Sequence, residues 1–347
     1  MEFAEPLARW LTDTLDDVDD AVVGEFDRPS GGYSAETLIV PVTFTRAGAV
    51  RDEQVVLRRE MPEPPVYPVQ VPVENEIDIQ WRVMSALAEH GDVPIAPLLG
   101  YEKDPSVLGS PFFVMGFIGG EIPREDPMYT VDGFYASAEA DQRTRMITSG
   151  VDMIAGVHAV DIEAAGLGWL STDAENDGHR QLRIWREYAE RELDGRPHPL
   201  MMAAFDRVAD ELPAGGDPVL TWGDARLGNV IWQDYSPACL TDFEAAAIAP
   251  AEMDVGWWLM FEQWSHLSAG VEPYPGSLSP EAQLERYVVA SGREIGDIAP
   301  WVLFAAARYA AIVVRVMNRM VEREILPADQ TIYLDPIAPV LQPLLDG

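Results

Sequence analysis

Three oxygen-bearing side chains occur in one short stretch of the sequence, between Val219 and Trp258. Asn229 follows Asp224 by five positions, and twelve residues separate Asn229 from Asp242. Carboxylate and amide oxygens are ligands that Mg²⁺ accepts. Phosphoryl transfer needs such a cation together with a carboxylate beside the accepting hydroxyl. The residue types and their order therefore predict a site for a metal-bound nucleotide.

Strand-like runs flank these residues and would bring them together. The apolar residues 219–222 lead to Gly223, which permits a tight turn and places Asp224 at a strand end. Residues 230–232 and 240–243 predict a hairpin with a turn between them. A single Asp or Asn beside a glycine is usually only a turn residue. The occurrence of Asp224, Asn229 and Asp242 in this order and spacing is much harder to explain by turn residues alone.

The motif GDARLGN, followed by the triplet DFE, resembles the catalytic and metal loops of the aminoglycoside phosphotransferase family of small-molecule kinases. Within that family it looks like the branch fused to acyl-CoA dehydrogenases. The resemblance implies that Asp224 orients the substrate hydroxyl and accepts its proton, and that Asn229 and Asp242 bind Mg²⁺. The family usually has His two residues before the catalytic Asp, where this chain has Trp222. That change concerns the packing of the loop more than its chemistry.

The nucleotide-binding elements are expected near the N-terminus. A glycine pair, Gly31 and Gly32, with Ser34 close behind, could present backbone N–H groups and a hydroxyl to phosphates, although it could also be a simple hairpin turn. Period-two alternation places Val56 and Arg58 on one face of the next strand. By the resemblance, Val56 would touch the base and Arg58 would replace the usual Lys that grips the phosphates. A pair of surface arginines is the alternative.

Two further nucleotide-site expectations come from the resemblance. The family has a Glu that pairs with the phosphate-gripping cation, but Gln80 occupies that position here. Glu76, four residues earlier on the same helix face, could substitute for it. The strand in GSPFFVMGF is similar to the family's hinge strand. It implies that the backbone from Met115 to Phe117 hydrogen-bonds the adenine of ATP or the base of GTP.

The resemblance and the sequence pattern together predict an α+β, bilobal protein-kinase-like fold. A small lobe with an antiparallel sheet and one main helix would span residues 1–117, and a larger, mostly helical lobe would span 118–347. The acidic residues 16–29 are expected to form a connector. Apolar residues at helical spacing predict helices near residues 5–15, 73–90, 140–160, 182–193, 201–212, 252–267, 281–291 and 301–324.

Three groups of polar residues in the helical part are interpreted as structural. His158, near the end of an amphipathic helix, is expected to be a satisfied core residue. Asp254 resembles the family residue that anchors the catalytic loop through backbone hydrogen bonds. Arg308 and Arg315 share a helix face and are expected to pair with buried acids rather than meet an anionic substrate.

Composition limits the partners that this chain can have. Lys and Arg number 24 against 58 Asp and Glu, which gives a formal charge of −34, and such a surface repels nucleic acid and anionic membranes. A hydrophobic content of 48% with 10 Trp indicates a folded core. The single Cys239 excludes an internal disulfide. We expect a cytoplasmic monomer or homodimer that binds a small-molecule hydroxyl substrate and no nucleic acid or membrane.

The sequence thus predicts a small-molecule kinase that transfers the γ-phosphoryl group of ATP or GTP to a hydroxyl with Mg²⁺. One alternative is a nucleotide-binding pseudokinase, because Trp222, Arg58 and Gln80 depart from the family pattern. Another is a metal-dependent hydrolase built on Asp224, Asp242 and Glu244. The sequence lacks the His-rich spacing typical of such hydrolases.

Overall fold

The computed structural model describes residues 3–26, 35–71, 73, 75–171, 177–327 and 337–346. Within these ranges the strands are β1 (Asp20–Val23), β2 (Glu36–Arg46), β3 (Ala49–Arg59), β4 (Leu98–Glu102), β5 (Phe112–Gly116), β6 (Pro218–Thr221), β7 (Val230–Gln233), β8 (Ser236–Leu240) and β9 (Ala247–Pro250). The helices are α1 (Ala4–Thr14), α2 (Glu76–His90), α3 (Ala140–His158), α4 (Gly178–Leu193), α5 (Pro199–Glu211), α6 (Glu252–Leu267), α7 (Pro280–Ser291), α8 (Ala299–Glu322) and α9 (Ala338–Asp346).

The first five strands form one antiparallel sheet in the order β1-β2-β3-β5-β4. β2 and β3 are joined at Ala47 and Gly48, which both have positive φ, as a two-residue hairpin turn requires. The predicted connector at residues 16–29 is wrong in part, because Asp20–Val23 pairs with β2 as an edge strand. Ala21 of this strand is buried, which explains why the acidic segment is held against the sheet.

Both faces of β3 are covered. Val55 and Leu57 face a core shared with α1, whereas Val56 belongs to the core that extends into the helical part. This alternation follows from the period of two in a strand. It places Arg58 on the same face as Val56, as the sequence predicted, and Arg58 is only 7% exposed.

Helix α2 lies between the sheet and the rest of the molecule. The carboxylate of Glu60 accepts hydrogen bonds from the backbone N–H groups of Glu76 (3.2 Å) and Ile77 (3.0 Å), and so satisfies the start of the helix. Ile77 and Leu87 are fully buried in the larger core. The end of β3 and the start of α2 are thereby fixed to each other.

The larger part of the chain is mainly helical and is built around α8. This helix packs against α4, α5, α6 and α9. Its length and apolar composition would suit a membrane span, but 78% of its most apolar window is buried inside the protein. It is therefore the central helix of a protein core.

Arg308 and Arg315 of α8 differ from each other in their partners. Arg315 pairs with Glu322 at 2.9 Å and lies 3.9 Å from Glu192, so the predicted pairing with acids is confirmed, although Glu322 is half exposed rather than buried. The same prediction is wrong for Arg308, which donates to the carbonyl oxygen of Gly223 (3.2 Å) and lies between two tryptophan rings. Burial lowers the pKa of Arg308 to about 10. Aromatic faces attract its charge, and the carboxylates of Asp254 and Asp224 act on it without forming an ion pair among the described residues.

Two short strand pairs carry the predicted chemical residues. β6 pairs with β9, and β7 pairs with β8, both antiparallel. The loop between β6 and β7 contains Asp224 and Asn229, and the loop between β8 and β9 contains Asp242. The expected hairpin is present, but its second strand is Ser236–Leu240 rather than residues 240–243, because Asp234 and Tyr235, both with positive φ, make a shorter turn than the predicted one. Its neighbouring loops meet at one end.

Candidate active site

The catalytic loop begins at a turn that only glycine can make. Gly223 has φ +88°, and a Cβ on it would lie 2.1 Å from the carbonyl oxygen of Ala245. The carboxylate of Asp254 accepts hydrogen bonds from the backbone N–H groups of Trp222 (2.6 Å) and Gly223 (2.9 Å). The predicted role of Asp254 as the anchor of this loop is confirmed. His158 contacts the same carboxylate through Nε2 at 3.0 Å, as a core residue does.

Trp222 fills the place of the expected His with a fully buried ring. It stacks on Phe243 with a centroid distance of 5.6 Å, and its indole N–H donates to the carbonyl oxygen of Thr241 (2.8 Å). The ring therefore joins the loop that carries Asp224 to the loop that carries Asp242. This arrangement agrees with a packing role.

Asp224 is 4% exposed, and hydrogen bonds surround its carboxylate. Oδ1 accepts from Trp257 Nε1 (2.9 Å), Oδ2 accepts from Asn229 Nδ2 (2.7 Å) and from the Tyr67 hydroxyl (3.0 Å), and Arg226 Nε reaches both oxygens. Burial acts to raise the pKa of Asp224, but Arg226 and these hydrogen bonds outweigh it and lower the pKa below its ordinary value. The carboxylate is ionised at neutral pH.

Asn229 donates to this carboxylate, and Asp242 lies in the loop between β8 and β9. The amide nitrogen of Asn229 donates to the backbone carbonyl and the side chain of Asp224, so its carbonyl oxygen is the atom left for another partner. Asp242 has φ +59°, a backbone conformation that is uncommon outside glycine and frequent at functional sites. Asp224 and Asp242 line the same cavity.

Arg58 crosses from the sheet to these loops. Its Nη1 lies 2.6 Å from Asp242 Oδ1, and its Nη2 lies 3.3 Å from Glu244 Oε2. Burial acts to lower the pKa of Arg58, yet the two carboxylates hold it above its ordinary value. The guanidinium is thus held permanently charged at the edge of the cavity.

Glu76, the expected partner of Arg58, is not its partner in this structure. Among the described residues the ion pairs of Arg58 are with Asp242 and Glu244 only. Burial, followed by the charges of Glu244 and Glu60, raises the pKa of Glu76 to about 8. At neutral pH Glu76 is therefore mostly protonated in this arrangement and carries little charge toward Arg58.

The other predicted nucleotide-binding residues are found in three different settings. Val56 and Met115 are adjacent partners on β3 and β5, and both are buried. Phe117 is 37% exposed, and its N–H donates to the carbonyl oxygen of Gln54 (3.2 Å), so its carbonyl oxygen is the hinge group left for a base. Gly31, Gly32 and Ser34 lie outside the described residues.

A proline-rich strap, residues 61–71, runs from the end of β3 over the helical part. Carbonyl oxygens of Pro64 and Pro65 accept hydrogen bonds from Arg315, and the carbonyl of Pro64 also accepts from Arg319. The Tyr188 hydroxyl donates to the carbonyl of Val66. These bonds hold the strap on α4 and α8, and they place Tyr67 against Asp224.

A cavity of about 450 Å³ opens beside the Asp224 carboxylate. We call it the acceptor cavity. Arg226, which pairs with Glu125, lies at its polar end together with Arg58, Asp242 and Glu244. The remaining wall is apolar and comes largely from one face of α8: Ile312, Val313, Val316, Met317 and Met320.

Sequence reasoning missed three residues that contact the Asp224 carboxylate. Arg226 lay inside the motif and could have been nominated from its position. Trp257 belongs to an apolar run that gave no sign of a polar contact. Tyr67 lies in the proline-rich strap, 157 positions from Asp224, and no local pattern indicates their contact.

Comparison with known proteins agrees with this geometry. The phosphotransferase enzyme family matches residues 40–301, which is more than half of the chain. The Arabidopsis thaliana protein IBR3, which carries the name of an acyl-CoA dehydrogenase, is 26% identical over 266 residues, covering 71% of this chain and 31% of that protein. This chain spans less than a third of the length of the curated relatives reported as acyl-CoA dehydrogenase proteins.

Solved structures share the fold across nearly the whole chain. A Ralstonia eutropha protein assigned to the aminoglycoside phosphotransferases has a TM-score of 0.72 at 21% identity, covering 99% of this chain and 98% of that chain. The ADP-bound aminoglycoside phosphotransferase APH(2'')-Ib has a TM-score of 0.54 at 12% identity, covering 99% and 98%. The predicted kinase-like α+β fold and the predicted family are thereby confirmed. This chain belongs to the phosphotransferase enzyme family.

Proposed function

We propose that the protein transfers the γ-phosphoryl group of ATP, or of GTP, to a hydroxyl group of a small molecule, with Mg²⁺ bound beside the nucleotide. The strongest support is that Asp224, Asp242 and Arg58 line one cavity, and that Asn229 donates a hydrogen bond to Asp224. ADP is bound to the structural neighbour APH(2'')-Ib, which supports an adenine nucleotide as the donor.

The donor set suits Mg²⁺ bound together with a nucleotide rather than a resident metal. The described residues contain no group of three His, Cys, Asp or Glu side chains that could hold a metal ion. Mg²⁺ typically takes one or two protein oxygens and completes its shell with phosphate oxygens and water. Asn229 and Asp242 would supply those protein oxygens. When bound, Mg²⁺ neutralises charge on the transferred phosphoryl group.

The same residues give little support to a metal-dependent hydrolase. Such an enzyme generally needs three protein ligands that hold its metal before substrate arrives. Asp224 is already surrounded by hydrogen-bond donors, and Arg58 engages both Asp242 and Glu244. Membership of the phosphotransferase enzyme family also argues against a hydrolase.

Arg58 is proposed to hold the donor phosphates. Phosphate oxygens would replace Asp242 as the partner of Arg58 and release that carboxylate for the cation, while Glu244 keeps the guanidinium in place. We assign contacts with the nucleobase and the remaining contacts with the phosphates to these residues: Gly31, Gly32, Ser34, Val56, Met115 and Phe117. We place the boundary between the two lobes at residues 117 and 118.

Asp224 is proposed as the general base, which accepts the proton of the substrate hydroxyl. The acceptor oxygen attacks the γ-phosphorus, the bond from that phosphorus to the bridging oxygen breaks, and the hydroxyl proton passes to Asp224. The nucleoside diphosphate then leaves. The lowered pKa keeps Asp224 ionised and able to orient the hydroxyl, as such carboxylates do in phosphoryl transfer.

The acceptor cavity favours a molecule that is apolar around or beyond its hydroxyl. Apolar side chains of α8 form one wall, and the polar groups are gathered at the end near Asp224. A polycation covered with amines would leave its charges unpaired against that wall.

We further propose that the protein acts in the cytoplasm as a monomer or homodimer. Its charge of −34 supports the proposal that it has no nucleic-acid or membrane partners.

A screen of hydroxyl compounds that reads nucleoside diphosphate release tests this proposal. The panel should pair amphipathic alcohols with aminoglycosides of similar size. Asp224→Asn should lower transfer about 10²–10⁴-fold, while Mg-nucleotide affinity stays near the wild-type value. Asp242→Asn should instead weaken Mg-nucleotide binding. Transfer by Asp224→Asn at the wild-type rate would contradict the assignment of the base.

A pseudokinase is the second candidate, and one observation favours it. Arg58 is engaged by two carboxylates, and Tyr67 occupies one lone pair of Asp224, so both groups are satisfied without substrate. Tight nucleotide binding with no phosphoryl transfer to any compound in the panel would support this alternative. Turnover that Asp224→Asn abolishes would eliminate it.

A further inference from the structure

A second cavity lies on a different face of α6. It is enclosed by the second half of α6, the loop 268–279 and the start of α7, and its volume is about 450 Å³. We call it the α6–α7 cavity. It shares no lining residue with the acceptor cavity among the described residues. Its volume falls in the range of small-molecule sites.

Helix geometry explains how α6 serves both cavities. Trp257 and Phe261 line the acceptor cavity, whereas Glu262 and His266, four positions apart, line the α6–α7 cavity. Successive residues in an α-helix are rotated by about 100°, so these two sets point in different directions. The second cavity is therefore separate from the site of phosphoryl transfer.

Two buried side chains on the wall of the α6–α7 cavity carry polar atoms that have no hydrogen-bond partner among the described residues. Glu262 is 9% exposed and His266 is 5% exposed. Glu262 Oε1 and both ring nitrogens of His266 make no hydrogen bond to the described residues, and neither does the hydroxyl of Ser277. A buried polar group without a partner costs about 1–3 kcal/mol. Such groups on a cavity wall call for a partner, which an ordered water or a bound ligand supplies.

The charges around the cavity select the kind of ligand. Glu262 is on its wall and Glu272 is at its exposed rim, whereas no Lys or Arg of the described residues lines it. The basic side chain that acts on His266, Arg143, stacks on Tyr274 and donates to backbone carbonyls. An anion would be repelled here, whereas a cation would be attracted.

The protonation states agree with that selection. Burial raises the pKa of Glu262 to about 7, although Tyr135 and Gln283 beside it act to lower it. Burial also lowers the pKa of His266, which is therefore neutral at physiological pH and has one donor and one acceptor nitrogen. A cation next to Glu262 would favour the ionised carboxylate.

The rest of the wall is apolar and includes Leu259, Leu267, Val271 and Leu278. We propose that the α6–α7 cavity binds a small amphipathic ammonium compound. Its ammonium group donates to Glu262, a neighbouring polar group bonds to His266, and its hydrocarbon part packs on the apolar wall. This site is independent of the proposed phosphotransferase activity.

Hexylammonium is a suitable probe, with 1-hexanol and hexanoate as neutral and anionic probes of the same length. The full chain is titrated with each probe at about pH 8, where Glu262 is mostly ionised, and binding is followed by NMR. We expect hexylammonium to bind at least about tenfold more tightly than 1-hexanol, and hexanoate to bind most weakly.

Substitutions locate the site. Glu262→Gln keeps the size of the side chain and should weaken hexylammonium binding about tenfold or more, to the affinity of 1-hexanol. Glu285→Gln changes an exposed carboxylate on α7 and should leave the affinity unchanged. His266→Phe keeps a ring and should leave the preference for the ammonium probe intact, because that preference depends on Glu262.

Three results would overturn the proposal: no binding of hexylammonium at about 10 mM, equal affinity for the three probes, or unchanged hexylammonium affinity in Glu262→Gln. Thermal unfolding of each variant shows whether a loss of binding comes from a loss of fold. Because none of these measurements requires phosphoryl transfer, a failure here leaves the proposed function untouched, and the converse also holds.

Discussion

The hydroxyl of Tyr67 donates to Asp224 Oδ2 at 3.0 Å, in the position where the hydroxyl of an acceptor would meet the proposed base. Tyr67 comes from the strap, whereas the other donors to this carboxylate come from the catalytic loop and α6. Burial and the charge of Asp224 raise the pKa of Tyr67 well above its usual range, so the phenol remains a donor. An acceptor must displace this hydroxyl.

Tyr67→Phe removes that competitor and keeps the ring. We expect hydrolysis of the nucleotide in the absence of an acceptor to rise roughly tenfold, because water can then reach Oδ2, and a hydrogen bond to a charged group contributes about 1.5–3 kcal/mol. The measurement is nucleoside diphosphate release. Tyr309→Phe, in the same cavity, is the control and should leave this rate unchanged. A lower rate in Tyr67→Phe would show that the phenol assists Asp224.

Substitution of Arg58 tests its proposed contact with the phosphates. Arg58→Lys keeps the charge and should bind Mg-nucleotide within about tenfold of wild type, whereas Arg58→Met should bind it at least about 100-fold more weakly. Arg58→Met also leaves Asp242 and Glu244 without their cation, so its free energy of unfolding should fall by about 3–5 kcal/mol. Calorimetry measures the binding, and denaturant unfolding measures the stability.

Arg59 offers a matched control for these variants. It is the next residue on β3, and it pairs with Glu36 rather than facing the cavity. Arg59→Met should leave nucleotide affinity unchanged. Equal losses of affinity in Arg58→Met and Arg59→Met would mean that the strand is perturbed as a whole.

The raised pKa of Glu76 predicts that the free energy of unfolding of the protein depends on pH. The pKa of this side chain is about 8 in the folded protein and near 4.5 when unfolded, so the folded state binds the proton more tightly. The folded protein therefore loses stability as pH rises from about 4.5 through about 8. Glu76→Gln should remove this loss and stabilise the protein by roughly 1–4 kcal/mol at about pH 9, with little effect at about pH 4. Denaturant unfolding at both pH values checks this difference, and a pH-independent effect would contradict it.

Trp222→His restores the residue usual in the family and tests the packing role of the indole. The fully buried ring stacks on Phe243, and its replacement by a smaller one should lower the free energy of unfolding by about 2–4 kcal/mol. Well below the unfolding temperature, kcat/KM with the best acceptor of the screen should stay within about tenfold. A larger loss of kcat/KM in a folded variant would give position 222 a chemical role.

Much of the architecture could be predicted from local pattern. Helix α6 has the predicted bounds, and the alternation along β3 placed Val56 and Arg58 on one face. These features follow from the 3.6-residue period of a helix and the two-residue period of a strand. The pattern of apolar side chains within each segment is enough to show which period applies. The edge strand β1 was missed because its pairing with β2 is a contact between distant segments of an acidic stretch with little apolar pattern.

The sequence by itself determined the three oxygen-bearing groups of the candidate site, because Asp224, Asn229 and Asp242 occur in a fixed order within one short segment. Only the tertiary structure decided what each group contacts. It paired Arg58 with Asp242 and Glu244 rather than Glu76, and it brought Tyr67 to Asp224. Such pairings depend on burial, charge and the meeting of segments more than 150 positions apart, which no local spacing encodes.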